Sequence, residues 1–278
     1  MNHDEPLRLL ILGAHPDDAE YHAGGLSCLY RQRGHAVRMV SMTDGSAGHH
    51  AMKPDELAEV RRQEAAESAA LIGAEYEIWD FPDGQLQTTL TLRERVIREI
   101  RLFRPDLVLT HRTNDYHPDH RAAGQAVQDA SFLVRVPLVV PEVPPLPKDP
   151  VVAFMADLFT KPSPLRADVV LDIAEQLDTV VAMLACHRSQ VFEWLPYLDG
   201  VLEQVEDEAE RERLAWLRQV MEAHPQMHLV VVSGQVTVEA PPAWRAAHPL
   251  VYAEALLMVC QHAAQAVRRH LLPHLSGR

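Results

Sequence analysis

Along the first half of the chain, apolar positions switch repeatedly between a strand pattern and a helical one. Leu7 to Gly13 is an apolar run bounded by a turn signal, as a parallel strand buried on both faces reads. Gly24 to Arg33 follows as a helix closed by Gly34, and Ala36 to Met42 as a second strand ending at Thr43, Asp44 and Gly45. From Asp55 to Ile72, apolar and alanine positions recur at helical spacing until Gly73, and Glu75 to Trp79 is a short third strand. Leu90 to Phe103 predicts a helix that ends before Pro105, Leu107 to Thr110 a fourth strand, and about Pro118 to Ala130 a further helix. Strands alternating with helices predict an α/β fold: a Rossmann-like, doubly wound, mostly parallel sheet with helices on both faces.

The second half is less regular. Six prolines between residues 137 and 150 predict a surface loop of limited freedom, expected to border the active site and shape substrate access. Val151 to Phe154 and Asp168 to Leu171 read as strands, and Ala174 to His187 as a helix. Beyond Leu198, the positions Leu202, Val205, Ala209, Trp216 and Val220 form one helical face opposite a strongly charged one, which predicts a helix packed on the domain. A strand from Met227 to Val232 and a helix from Leu250 to Leu272 complete the chain, with no internal repeat. The 278 residues are read as one domain, with a core over about 5–190 and a C-terminal helical and strand extension over about 198–278 packed on it.

Composition narrows the function classes. Apolar residues at 47% and charged residues at 23% are those of a soluble globular protein. A formal charge of -13 would repel a phosphate backbone, so nucleic acid is not an expected partner. The first apolar run is too short to span a bilayer, and its flanks are Asp4, Glu5, Asp17 and Asp18 rather than a basic segment, so neither a membrane span nor an export signal is expected. Three cysteines without CxxC spacing suit a reducing compartment and exclude a thiolate zinc cluster; the cytoplasm is the expected location.

Two segments carry candidate chemistry. Gly13-Ala14-His15-Pro16-Asp17-Asp18 follows the first strand, and Asn114-Asp115-Tyr116-His117-Pro118-Asp119-His120 follows the fourth. Each alone could simply start a helix, since proline suits the first helical position and acidic side chains suit the positive end of the dipole. With sheet order 3-2-1-4, however, strands one and four are neighbours that the chain leaves in opposite directions, which opens a crevice at their carboxyl ends and brings the segments face to face. Two imidazoles and a carboxylate, with one position open for water, suit catalytic zinc. Hydrolysis is the natural use, because such a metal acidifies water and polarises a carbonyl while a second carboxylate takes the proton. Asp17 and Asp18 supply one carboxylate of each kind.

AHPDD at 14–18 and HPDH at 117–120 resemble the PIG-L/LmbE family of N-acetylglucosaminyl-type deacetylases. TDGSAG at 43–48, RRQEAAESA at 61–69, FPDG at 81–84, RPDLVLTH at 104–111, HRSQ at 187–190 and YAEA at 252–255 are similar to family blocks in the same order. The resemblance implies one Zn2+ per chain held by His15, Asp18 and His120, with Asp17 as the general base. It further implies that His117 stabilises the oxyanion and protonates the leaving amine, and that Asp119 holds His117 in its useful tautomer. The implied substrate is a small amino-sugar conjugate that loses an N-acyl group, usually acetyl, and the implied assembly is a homo-oligomer, trimer or hexamer. Arg61 is the candidate for gripping substrate hydroxyls or a phosphate, with Arg62 beside it, and an i to i+3 ion pair with Glu64 is the structural alternative. Asp44 and Asp115 are further candidates for substrate contact, although Asp44 before Gly45 also suits a turn. Relatives that process sugar thiols carry a tyrosine two residues before HPDH, where this chain has Asp115 and places Tyr116 next to the motif. His187 and Gln190, at a helix end, are read as structural groups that satisfy the last carbonyls.

Three other readings compete. An amidase acting on a sugar-thiol conjugate would use the same fold. A non-haem Fe(II) enzyme would use the same two histidines and carboxylate, but on a β-sandwich or barrel. A silent nucleotide-binding domain would need a GxGxxG loop, and the loop after the first strand holds Asp17 and Asp18 instead.

Overall fold

The computed structural model describes residues 6–231, apart from 158, 166–168, 207–209 and 224–228. The expected helix over 250–272 and the YAEA block lie outside the described residues.

Five parallel strands form the central sheet in the order β3-β2-β1-β4-β5: β1 Arg8–Gly13, β2 Ala36–Thr43, β3 Glu75–Phe81, β4 Leu107–Thr110 and β5 Val151–Phe154. Four helices connect them in turn: α1 Asp18–Gln32, α2 Pro54–Ile72, α3 Leu90–Phe103 and α4 Pro118–Leu133. Successive β1 side chains enter opposite layers, because strand side chains alternate faces. Leu9 and Ile11 pack with α1 and the later α5 (Leu177–Cys186), while Leu10 and Leu12 pack with α3 and α4. All four are fully buried, which is why the run reads as continuously apolar. The sheet is open and parallel, not the sandwich or barrel that the oxygenase reading requires.

Two expectations need correction. Helix α1 starts at Asp18, inside the AHPDD segment, rather than at Gly24. Gly24 and Gly25 sit within it because α1 presses on its neighbours: a Cβ on Gly25 would stand 2.5 Å from the Ile173 side chain. The helix expected beyond Leu198 is observed over α7 Leu202–Glu206 and α8 Glu210–Ala223, with Val205, Leu217 and Met221 buried; residues 207–209, Ala209 among them, lie outside the described residues. The strand near 227–232 is observed as β7, Leu229–Val231, paired antiparallel with β6, Val170–Asp172, in a separate two-stranded sheet.

The second correction concerns the Pro-rich segment 137–150. This segment joins α4 to β5, and a helix-to-strand connection in a parallel sheet lies at the amino ends of the strands, away from the crevice. Arg101, near the end of α3, holds it there: the guanidinium donates to the carbonyls of Leu133, Val134, Val136, Val139, Val140 and Val143. Lys148 reaches Asp106, just before β4, at 3.4 Å. The segment is therefore a structural clasp at the edge opposite the candidate site.

Candidate functional site

The carboxyl ends of β1 to β4 deliver the site. Pro16 and Pro118 mark the sharp departures from β1 and β4 into α1 and α4, so His15–Asp18 and His117–His120 converge from the two starting helices. Close backbone approach makes this possible. A Cβ on Gly124 in α4 would fall 2.3 Å from the His111 carbonyl oxygen, and one on Gly13 would fall 2.8 Å from the Asp18 Cβ. Only glycine allows either contact.

His15, Asp18 and His120 come together. His15 Nδ1 lies 3.2 Å from His120 Nε2 and 3.6 Å from Asp18 Oδ2, and His120 Nε2 lies 3.4 Å from Asp18 Oδ1. Donors bound to one tetrahedral zinc stand roughly 3.2–3.6 Å apart, given bonds of about 2.0–2.2 Å. The outer ring nitrogens explain the orientation. His120 Nδ1 is 3.1 Å from Asp115 Oδ1, while His15 Nε2 is 3.2 Å from Asp83 Oδ1 and 3.4 Å from Asp119 Oδ2. With the ring protons on those outer nitrogens, two lone pairs and a carboxylate face one another, a donor set that fits a cation. Asp18 is fixed from behind, its Oδ2 accepting from the Ala14 and His15 N–H groups at 2.9 and 2.7 Å.

Electrostatics match this crowding. Burial alone would lower His120, but the Asp18 charge and the Asp115 bond overcome it and push the imidazole up to about 9. Burial would raise Asp18, yet the charges of His120 and His111 hold it well below the usual carboxylate range. Asp17 behaves oppositely to its neighbour: burial and then the Asp18 charge push it up to about 7, the range of a general base at neutral pH. Its backbone has φ 115°, rare for a residue other than glycine, and its N–H donates to the Tyr76 hydroxyl at 3.3 Å. That turn lets adjacent aspartates occupy different surroundings.

The remaining expected residues divide. His117 caps α4, its Nδ1 accepting from the Asp119 backbone N–H at 3.2 Å, so Nε2 carries the proton of the neutral ring. The Asp119 carboxylate does not hold His117. It accepts from the N–H groups of Gly84 and Leu86 at 2.7 and 3.1 Å and faces His15 instead. Asp115 does not face substrate either: it is 9% exposed and spends Oδ1 on His120 and on the His117 N–H at 3.0 Å. Asp44 is a bridging turn residue, with Oδ1 accepting from Ser46 N and Asp83 N at 3.0 and 3.2 Å.

Arg61 points inward and Arg62 outward. Arg62 is half-exposed and lies 3.6 Å from Glu59. Arg61 is 2% exposed, with Nη2 donating to the Gly48 carbonyl at 3.0 Å and to Gln190 Oε1. It lines a cavity of about 330 Å3 with His15, Asp83, His117, Tyr116 and Gln190. Glu64 is engaged elsewhere, accepting from Ser189 N and Oγ at 2.8 and 2.6 Å. His187 and Gln190 reach across to other helices rather than capping α5, whose Leu184 carbonyl is taken by the His187 backbone N–H at 3.0 Å. His187 Nε2 lies 2.8 Å from Glu20 Oε1, and both side chains are fully buried.

Sequence reasoning missed Asp83 and His111 as individual residues. His111 Nε2 sits 3.0 Å from Asp18 Oδ2, and the ring stacks on His120 with centroids 3.9 Å apart. Burial, and then the His120 charge, lower it to about 4, so it is a neutral partner. The signal was available: Asp83 and His111 directly follow β3 and β4, and so fall at the same sheet edge as the two motifs.

Residues 10–131 match the family model described as PIG-L, GlcNAc-PI de-N-acetylase. The chain carries a PIG-L family domain. The matched stretch contains His15, Asp17, Asp18, Arg61, Asp83, His111, Asp115, His117, Asp119 and His120, and ends before Gln190 and Trp194. Proteins similar to this PIG-L domain chain include 4-oxalmesaconate hydratase of Pseudomonas putida, 27% identical over 203 residues that cover 70% of this chain and 78% of the relative. Another is 1D-myo-inositol 2-acetamido-2-deoxy-alpha-D-glucopyranoside deacetylase 1 of Saccharopolyspora erythraea, 27% identical over 248 residues, with 68% and 80% covered. In fold, the chain is similar to the N,N'-diacetylchitobiose deacetylase of Pyrococcus horikoshii, with TM-score 0.63, 24% identity, and 78% and 77% covered. Among the described residues of this PIG-L domain chain, no helix is long and apolar enough to cross a membrane.

Proposed function

We propose that this chain is a zinc-dependent amidohydrolase that removes an N-acyl group, acetyl in the simplest case, from an amino-sugar conjugate. The observation that carries the reading is the convergence of His15 Nδ1, Asp18 and His120 Nε2 within 3.2–3.6 Å of one another, with the His117 ring centroid 4.4 Å from that of His15 and the Asp17 carboxyl in charge contact with Asp18 and His15. Zinc held by these three residues, one per chain, would acidify a water molecule and polarise the amide carbonyl.

The chain's own residues do the rest. Asp17, poised near neutrality, takes the proton of the water that attacks the carbonyl carbon. Burial and the neighbouring His15 and His120 lower His117, so it is neutral and presents Nε2–H to the carbonyl oxygen. As the C–N bond breaks, a proton passes from this pair to the leaving nitrogen, giving acetate and a free amine. Arg61 keeps hydrogen-bonding capacity for a hydroxyl or anionic group of the substrate, because Gly48 and Gln190 occupy only Nη2.

A second reading is hydration of a carbon–carbon double bond, favoured by the similarity to the hydratase. Charge weighs against a tricarboxylate substrate here. Besides a bound zinc ion, Arg61 is the one arginine or lysine lining the cavity among the described residues, against Asp83, so three carboxylates would find few cationic partners. A screen of zinc-loaded protein for acetate and free amine across N-acetylated sugars, sugar thiols and glycolipid head groups tests the proposal. Hydration of oxo-dicarboxylates and tricarboxylates without release of acetate would replace it.

A further inference from the structure

The mouth of the cavity is apolar on two sides. On one side, Trp194, Leu195 and Leu198 line it from α6 (Leu195–Asp199) and the turn of π-helix just before, Ser189–Trp194. Tyr197 lies nearly parallel to Trp194, with ring centroids 5.8 Å apart, and stacks on His50 at 4.3 Å. On the other side, Tyr116 stacks on Phe159 with centroids 5.8 Å apart. Leu195, Tyr197, Leu198 and Tyr116 are 41%, 48%, 58% and 68% exposed, which leaves large apolar side chains facing water beside a polar interior. Scattered exposed leucines need no explanation, but a cluster continuous with a ligand cavity does.

We infer that this rim is a subsite for an apolar aglycone, an alkyl or aryl group carried by the amino sugar beyond the scissile amide. The inference rests on the deacetylase reading of the inner site. With the C2 acetamido group at His15 and His117 at the base of the cavity, the group carried on the adjacent anomeric carbon leaves towards the mouth, past the apolar rim. Flat aromatic faces suit both the CH face of a sugar and an aryl group, and the leucines suit an alkyl chain. The α6 wall lies outside residues 10–131, so it is a feature of this chain beyond the matched domain.

Acetate release is measured with free N-acetylglucosamine and with its methyl, 4-nitrophenyl and octyl glycosides, on the wild type and on Leu198→Glu, Leu195→Glu and Trp194→Phe. The leucines are exposed, so charge there leaves folding intact. The expected result is a kcat/KM at least about tenfold higher for the octyl than for the methyl glycoside, what burying about two methylene groups supplies. Leu198→Glu should remove that preference, so that within this variant the octyl and methyl glycosides have the same kcat/KM. Equal kcat/KM across the glycosides overturns the subsite. So does a Leu198→Glu chain that keeps the octyl preference while an oligomer seen for wild type dissociates, since the face would then bind a second copy. If no substrate releases acetate, the deacetylase reading fails and the subsite is judged by binding alone. Saturable quenching of tryptophan fluorescence by octyl glucoside, weakened about tenfold by Leu198→Glu and reduced in amplitude by Trp194→Phe, supports it; identical titrations overturn it.

Discussion

Removing the Asp115 carboxylate separates two readings of one residue. Oδ1 accepts from His120 Nδ1 at 3.1 Å and from the His117 N–H at 3.0 Å in a largely buried position, so Asp115→Ala strands two donors. A hydrogen bond to a charged group is worth about 1.5–3 kcal/mol, which corresponds to roughly 10- to 150-fold in metal affinity if His120 loses its orientation. Partners of metal-binding histidines in other proteins cost about 10–100-fold when removed, which agrees. Asp115→Asn keeps an oxygen that accepts both bonds but loses the charge, and should weaken zinc by only about 3–10-fold. Competition for zinc against a chromophoric chelator, with kcat and KM measured on the same preparations at saturating zinc, decides the matter. Both variants should recover most of kcat once zinc is saturating, with KM near wild type. A raised KM with unchanged zinc affinity would refute the positioning role and restore Asp115 as a substrate contact.

Four further predictions concern the base, the histidines and the clasp. Asp17→Asn, a side chain that tolerates positive φ, should keep zinc near one equivalent while lowering kcat about 10²- to 10⁴-fold and flattening an acidic limb centred near pH 7; loss of zinc or a retained kcat would reassign the base. Because His120 is pushed up to about 9 and His15 is also raised, zinc must displace protons, and its apparent affinity should rise about tenfold per pH unit for each proton displaced between pH 6.5 and 8.5. In the same window the metal-free chain should lose thermal stability, since a raised histidine stabilises fully below its unfolded value of about 6.5 and no longer above about 9; affinity independent of pH would refute both statements. Arg101→Ala leaves six carbonyls of the 133–143 clasp without their donor and should cost about 3–5 kcal/mol by urea unfolding while leaving KM unchanged; a changed KM with intact stability would return the Pro-rich segment to the active site.

What the sequence made legible was local. The candidate ligand triad sits in two contiguous motifs that directly follow strands, and the strand order followed from strand and helix periodicity plus a rule of connection. Adjacency misled where side-chain direction mattered. Asp119 was assigned to His117, two positions away, yet residues i and i+2 do not face each other on a helix. Its carboxylate meets Gly84 and Leu86, 35 and 33 residues earlier, which no short pattern encodes. Asp83 against His15 and Asp115 against His120 depend likewise on loops meeting in space. The Pro-rich segment was misplaced for a different reason: composition marked it as unusual, whereas its place between a helix and a strand already put it at the far edge. The start of α1 was hidden because Gly24 and Gly25, which permit close packing on Val180 and Ile173, resemble a boundary.

The short stretch from His187 to Gln190 grips Glu20, Glu64 and Arg61 across 167, 125 and 129 residues of sequence. Contacts of such separation carry the largest loop-closure cost and form late. On the ribosome, the three candidate metal donors have all been synthesised once residue 120 is added, nearly seventy residues before this stretch exists. Synthesis therefore completes the candidate donor set first, and only afterwards the wall that holds Arg61 in place.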